Sequence, residues 1–93
     1  MLWPNHVFRA SMCGFLGIAD ELLASGADPD TIGGENKVTA LHAAAHQGFV
    51  LMVELLVFKG ADTMITNRLG LTPLHCAVKR NAFSCVKVFL TRA

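Results

Sequence analysis

The residues best suited to chemistry in this chain are four histidines and three cysteines. His42 and His46 stand four apart, which puts both imidazoles on one face of a helix, a spacing metal ligands use. A zinc hydrolase of that pattern needs glutamate directly after the first histidine as general base. Position 43 is alanine, so hydrolysis by that route is excluded. Cys13, Cys76 and Cys85 form an odd set with no C-x-x-C pair, which indicates neither a disulfide framework nor a zinc knuckle. Reduced thiols in an intracellular compartment are the simplest reading. A catalytic cysteine needs a neighbouring base and an electropositive, accessible setting; only Cys76 adjoins a histidine, His75. There is no glycine-rich phosphate loop and no Ser-His-Asp set. The expectation is no catalysis, no cofactor and no metal.

Bulk composition narrows the class further. The 93 residues are 53% hydrophobic and 16% charged, against roughly 45–50% and about 25% in soluble domains. Disorder is excluded, because disordered segments are poor in apolar residues. The longest apolar run, Phe49 to Phe58, is interrupted by Glu54 and reaches half of the ~20 residues a membrane span needs. The N-terminus lacks the basic segment of a signal peptide, since its first cation, Arg9, falls inside the would-be apolar stretch. An intracellular protein, cytoplasmic or nuclear, is expected. A net charge of +1 recruits neither nucleic acid nor an anionic membrane. Its distribution is less even. Every acid lies between Asp20 and Asp62, and the chain through Asp62 sums to −4, while Arg68, Lys79, Arg80, Lys87 and Arg92 make the remainder +5. Such asymmetry can mark a docking surface.

The elements that carry these residues repeat. Thr39-Ala40-Leu41-His42-Ala43-Ala44 returns further along as Thr72-Pro73-Leu74-His75-Cys76-Ala77, and Gly26-Ala27-Asp28 returns at nearly the same interval as Gly60-Ala61-Asp62. Thr72 suits a helix N-cap and Pro73 the first helical position, where its missing N–H costs nothing; Thr39 and Ala40 fill these places in the earlier copy. A short helix of small residues follows, Gly48 breaks it, and a second helix runs from about Phe49 to Lys59. Gly60 then supplies the left-handed position that ends it. One helix-turn-helix unit cannot bury its apolar face alone, so units must stack. A four-helix bundle is excluded by the shortness of the first helices.

The sequence resembles ankyrin repeats, whose unit carries Gly-x-Thr-Pro-Leu-His-x-Ala and later Gly-Ala-Asp. Gly70-Leu71-Thr72-Pro73-Leu74-His75-Cys76-Ala77 matches the first signature throughout. The resemblance implies an all-α fold, an α-solenoid of stacked helix-turn-helix repeats with hairpin-like loops. It implies one domain over residues 1–93, with approximate repeats 5–38, 39–71 and 72–93, the last lacking its following loop. The first repeat matches more weakly. Asn5 falls at the cap, but Phe8 stands where the signature histidine belongs, which marks a capping or diverged repeat. The loop from Asp28 is one residue longer than that from Asp62, with Gly33-Gly34 absorbing the excess. The resemblance also assigns His42 and His75 to structure, each bonding its cap threonine and the loop backbone. Cys85 aligns with Met52 on the buried face of the second helix.

Members of the family bind proteins through loop tips and the exposed face of the first helix. Carried over by position, this picks out Asn36, Lys37 and Val38, then His46 and Gln47, then Thr66, Arg68, Leu69 and Leu71, and finally Lys79 and Arg80. The function implied is a protein-interaction module with no catalysis of its own. The alternative is a recruiting segment of a larger enzyme such as a ubiquitin ligase or kinase. Leucines flanking Gly70 beside three cations point to an acidic, hydrophobic peptide or protein face as ligand. Nucleic acid is not expected, because aromatic residues for base stacking are not interleaved with the cations. Leu51 and Phe58, seven apart, share an outward stripe on the second helix and suggest self-association or contact with another domain. Phe83, Val88 and Phe89 look ready to meet another unit, as in a segment of a longer array.

Overall fold

Residues with a left-handed backbone divide the chain at regular intervals. Gly48 takes φ 78°, and its register mate Asn81 takes φ 58°; asparagine is one of the few side chains that tolerate this region. In the computed structural model, which describes residues 6–33 and 36–92 with the side chain of Arg92 excepted, six helices lie between such breaks. They are α1 (His6–Cys13), α2 (Leu16–Ala24), α3 (Ala40–Gln47), α4 (Val50–Phe58), α5 (Pro73–Lys79) and α6 (Phe83–Arg92). Between α2 and α3, β1 (Ile32–Gly33) pairs antiparallel with β2 (Val38–Thr39), Ile32 opposite Thr39. The expected helix-turn-helix solenoid with a hairpin-like loop is what the chain forms.

Each residue of the Gly-Ala-Asp signature has a distinct task. The amide of Gly60, at φ 92°, donates to the Val57 carbonyl and that of Ala61 to the Leu56 carbonyl, at 3.1 and 2.9 Å. These two bonds satisfy carbonyls that the end of α4 would leave open. Ala61 is buried. Asp62 Oδ1 then accepts the Met64 amide at 2.8 Å, which turns the chain away from the helix. Gly26, Ala27 and Asp28 repeat the arrangement, with Asp28 Oδ1 accepting the Asp30 amide.

The helices form two rows. α1, α3 and α5 pack side by side as the inner row, and α2, α4 and α6 lie against them as the outer row. α3 is at the centre, and Ala40 to Ala45 are all buried. Alanines there let the neighbouring backbones approach closely, and Leu41, Met52, Val53 and Leu56 fill the space between the rows. The third pair completes this core with Cys76, Ala77, Cys85, Val88 and Phe89. Val88 and Phe89 therefore do not await another unit, as the sequence suggested; they are 6% and 4% exposed. Their register mates are Leu55, half-buried against the core, and Leu56, which is buried. Phe83 and Leu90 are the exposed pair instead, and Leu90 is not stacking surface. The position of Ala93 lies outside the described residues.

The first repeat departs from the others at Phe8. Where the signature histidine would bond the loop, the Phe8 ring lies on Gly33, and a Cβ built there would fall 2.4 Å from the ring. Gly33 thus makes room for an aromatic ring. Gly34 and Asn5, assigned to loop length and cap, lie outside the described residues. We expect Gly33→Ala to lower the unfolding free energy by about 1–3 kcal/mol, the usual cost of overpacking, in urea melts monitored by circular dichroism. Phe8→Leu in that background should recover part of the loss.

Candidate functional site

The signature histidines hold the inner row in register. Thr39 begins α3 and accepts the His42 amide on Oγ1 at 3.3 Å; His42 Nδ1 in return accepts the Thr39 amide at 3.2 Å and faces the Thr39 hydroxyl at 2.9 Å. His42 Nε2 lies 2.8 Å from the Leu71 carbonyl in the following loop. A carbonyl only accepts, so the proton sits on Nε2 and Nδ1 is the acceptor. Both ring nitrogens are engaged, so His42 does not join His46 as a metal ligand. Thr72 and His75 repeat the cap, with Nδ1 at 3.0 Å from both the amide and the hydroxyl of Thr72. The structural role assigned to His42 therefore holds in full, and that of His75 in its cap to Thr72.

Burial lowers the His42 pKa from 6.5, and the bond to Leu71 only partly offsets this. Burial pushes the Cys76 thiol up, with Lys79 drawing it part of the way back, and raises that of Cys85 as well. Protonated thiols are poor nucleophiles. Cys13 is exposed.

Beside His42 the inner row opens as a groove of about 180 Å³. Val38 and Asn67 line it at the loop end, Ala43, Cys76, His46 and Gln47 along and beyond the helices, and Phe8 and Met12 from α1. Of the residues singled out from the sequence, Val38, His46 and Gln47 meet here. His46 and Gln47 also line a second depression of about 420 Å³ with Arg80, whose Nε donates to the His46 carbonyl at 3.1 Å. Lys79 is exposed at the end of α5.

The loop-tip residues stand apart from both grooves. Asn36 and Lys37 occupy the exposed turn between β1 and β2, and Lys37 takes φ 57°. The Arg68 amide donates to the Asn36 carbonyl at 2.8 Å, which joins this tip to the next. There Asn67 Oδ1 accepts the amides of Leu69 and Leu71, at 2.9 and 3.0 Å. That clamp presents Leu69 at 78% exposure, with Thr66 and Arg68 also exposed. Leu71 needs correcting: it is half-buried and packed on the core, because its carbonyl must meet His42. Its apolar character is structural.

Sequence reasoning missed Phe8, Met12 and Asn67. A signal for Met12 was available, since it precedes His46 by the same interval that separates Gly26 from Gly60. Asn67 has no such mark, because its role is visible only in the loop bonds it accepts.

Two rows of antiparallel helix pairs, joined by projecting loops and tied by a cap histidine, define a helical repeat solenoid. The model for ankyrin repeats in three copies matches residues 7–93, and the chain belongs to the ankyrin-repeat family. It is 41% identical to the E3 ubiquitin-protein ligase KEG of Arabidopsis thaliana over 69 residues, 74% of this chain and 4% of that protein. It is 35% identical to the palmitoyltransferase AKR1 of Lachancea kluyveri over 69 residues, 74% of this chain and 9% of that protein. Ankyrin repeat and SOCS box protein 16 of Mus musculus is 41% identical over 61 residues, 66% of this chain and 13% of that protein. The chain therefore spans only a small part of the length of these relatives. Among the described residues, no helix is long and apolar enough to cross a membrane.

The His42 geometry makes stability depend on pH. The folded pKa lies below the ordinary 6.5, so the unfolded chain takes up a proton first on acidification. This contribution is complete above pH 6.5 and is lost as pH falls from 6.5 to the folded value, with a slope of at most about 1.4 kcal/mol per pH unit. Urea midpoints should fall between neutral and acid pH in the wild-type chain. His42→Gln should start lower and fall less; an equal fall would refute the assignment.

Proposed function

We propose that the chain binds an acidic, hydrophobic peptide or protein face through the inner-row groove and the adjoining loop tips, and has no catalysis of its own. One observation carries the reading. Among the described residues the groove wall contains no acid. Arg80 lines the depression that shares His46 and Gln47 with it, Lys79 is exposed next to Arg80 in the chain, and Lys37 and Leu69 are exposed on the separate loop tips. Of the described acids of the first two repeats, Asp28, Asp30 and Asp62 each accept a backbone amide, and Asp20 and Glu54 line the trough between α2 and α4. An acidic ligand thus meets positive charge at the rim and apolar surface at Met12, Val38 and Leu69. Complementary charge of this kind chiefly sets specificity and association rate. The absence of catalysis is supported by the protonated buried thiols and by His42, whose two nitrogens are occupied. An intracellular setting, cytoplasmic or nuclear, is consistent with three cysteines that form no disulfide.

A second reading is favoured by the relatives. In it the chain is the recruiting segment of a larger enzyme, such as a ubiquitin ligase or kinase. Its support is the match to a small part of an E3 ubiquitin-protein ligase. The binding surface is the same in both readings.

Selection of peptides from a random display library on the immobilised chain tests the ligand chemistry. The selected peptides should be rich in Asp and Glu beside Leu, Ile or Phe. Their affinity should fall by about tenfold or more for a chain carrying Arg68→Glu and Arg80→Glu, as expected when charged anchors are reversed. Peptides without acidic enrichment, or an unchanged affinity, would contradict the proposal.

A further inference from the structure

The outer row carries a second interaction surface, on the opposite side of the helix pairs from the inner-row groove. α4 reads Val-Leu-Met-Val-Glu-Leu-Leu-Val-Phe and is apolar on every side, a pattern of helices covered on every side. Met52, Val53 and Leu56 are buried, yet Leu51 is 60% and Phe58 77% exposed. The neighbouring helices are small at the matching positions: Gly17 and Ser84 are the register mates of Leu51, and Ala24 and Thr91 those of Phe58. Leu51 and Phe58 therefore form a ridge with a trough beside it. The trough between α2 and α4 measures about 410 Å³ and is lined by Leu16, Gly17, Asp20, Leu51, Glu54 and Phe58, among others. It adjoins a hollow of about 290 Å³ that shares Leu16 and Leu51. At Gly17 no atom lies within 4 Å of where a Cβ would stand, so the trough is open at its floor.

We infer that this trough receives an amphipathic helix of a partner protein, apolar along one face and carrying a lysine or arginine among its apolar residues. Charge decides the occupant. Both charged residues that line the trough are acids, Asp20 and Glu54; Lys59 pairs with Asp20 at 3.6 Å, and Lys87 lines a separate depression on the α6 side of Glu54. Glu54 has no ion pair among the described residues, and it sits midway between Leu51 and Phe58 on the same face. A helix lying in an apolar groove makes contact at positions i, i+3, i+4 and i+7. One with aliphatic residues at the ends of that pattern and a cation between them meets Leu51, Glu54 and Phe58 in turn. A second copy of this chain fits less well. A two-fold pairing that seats each Phe58 by the other copy's Leu51 puts the axis between positions 54 and 55, and the two Glu54 carboxylates then oppose each other.

The test uses two helical peptides of about 18 residues, long enough to hold helix, one of Leu, Lys and Ala and its twin of Leu, Glu and Ala. Fluorescence anisotropy should show the lysine peptide binding at least about tenfold more tightly than its twin, because like charges in the interface are rejected. Gly17→Leu fills the trough in open space and favours the helix. It should cut the affinity by about tenfold with the circular dichroism spectrum unchanged. Glu54→Lys should reverse the preference, and Lys79→Glu with Arg80→Glu should leave it intact. Equal affinity for both peptides, indifference to Gly17→Leu, or a concentration-dependent dimer in sedimentation that Phe58→Glu abolishes would overturn the inference.

Discussion

A neutral imidazole joins the second repeat to the third. His42 closes its own cap through Nδ1 and reaches the Leu71 carbonyl of the next loop through Nε2. The ring can do both only while it carries one proton. A second proton would remove the acceptor that the buried Thr39 amide uses. Helix start, loop position and repeat spacing thus depend on one side chain. The caps themselves contribute about 1 kcal/mol each at exposed helix ends. The larger consequence is geometric, because the loop after α4 is set relative to α3.

The two seams of the solenoid are therefore different in kind. Between the second and third repeats, apolar packing is supplemented by a directional bond from a buried ring. Between the first and second, Phe8 replaces that bond with a ring laid on Gly33. In a repeat protein the stability is approximately the sum of the repeats' own terms and the seams between neighbours, so each seam contributes separately. The loose contact between α2 and α4, where the outer trough opens, belongs to this first seam.

Local signals were legible in the sequence wherever one residue type performs one backbone task. Thr39, Thr72, Gly48 and Gly60 all act as their types and spacing implied, and the Leu51/Phe58 stripe does face outward. What could not be read was the facing of residues that differ by one position along a helix. Leu90 and Phe89 are equally apolar, yet only Phe89 faces α4 and α5. Leu71 and Leu69 are identical in type, but the Asn67 clamp and the His42 bond turn one inward and the other out. Met12 could have been found from its interval to His46, which the register set by Phe8 and His42 already implied.

Two surfaces of opposite character follow from this construction. Among the described residues the inner-row groove is lined by no acid and is partly apolar, while the outer trough is apolar with two carboxylates, Asp20 and Glu54, in its lining. The helix pairs separate them, so each can be altered without disturbing the other. Both depend on the repeats being held in register, and the His42 ring is the most specific element that holds them. Long-range nitrogen–proton correlation NMR of the imidazoles at neutral pH tests this directly. His42 should show a protonated Nε2 with a slowly exchanging proton and an unprotonated Nδ1. A proton on Nδ1, or rapid averaging between the two tautomers, would contradict it.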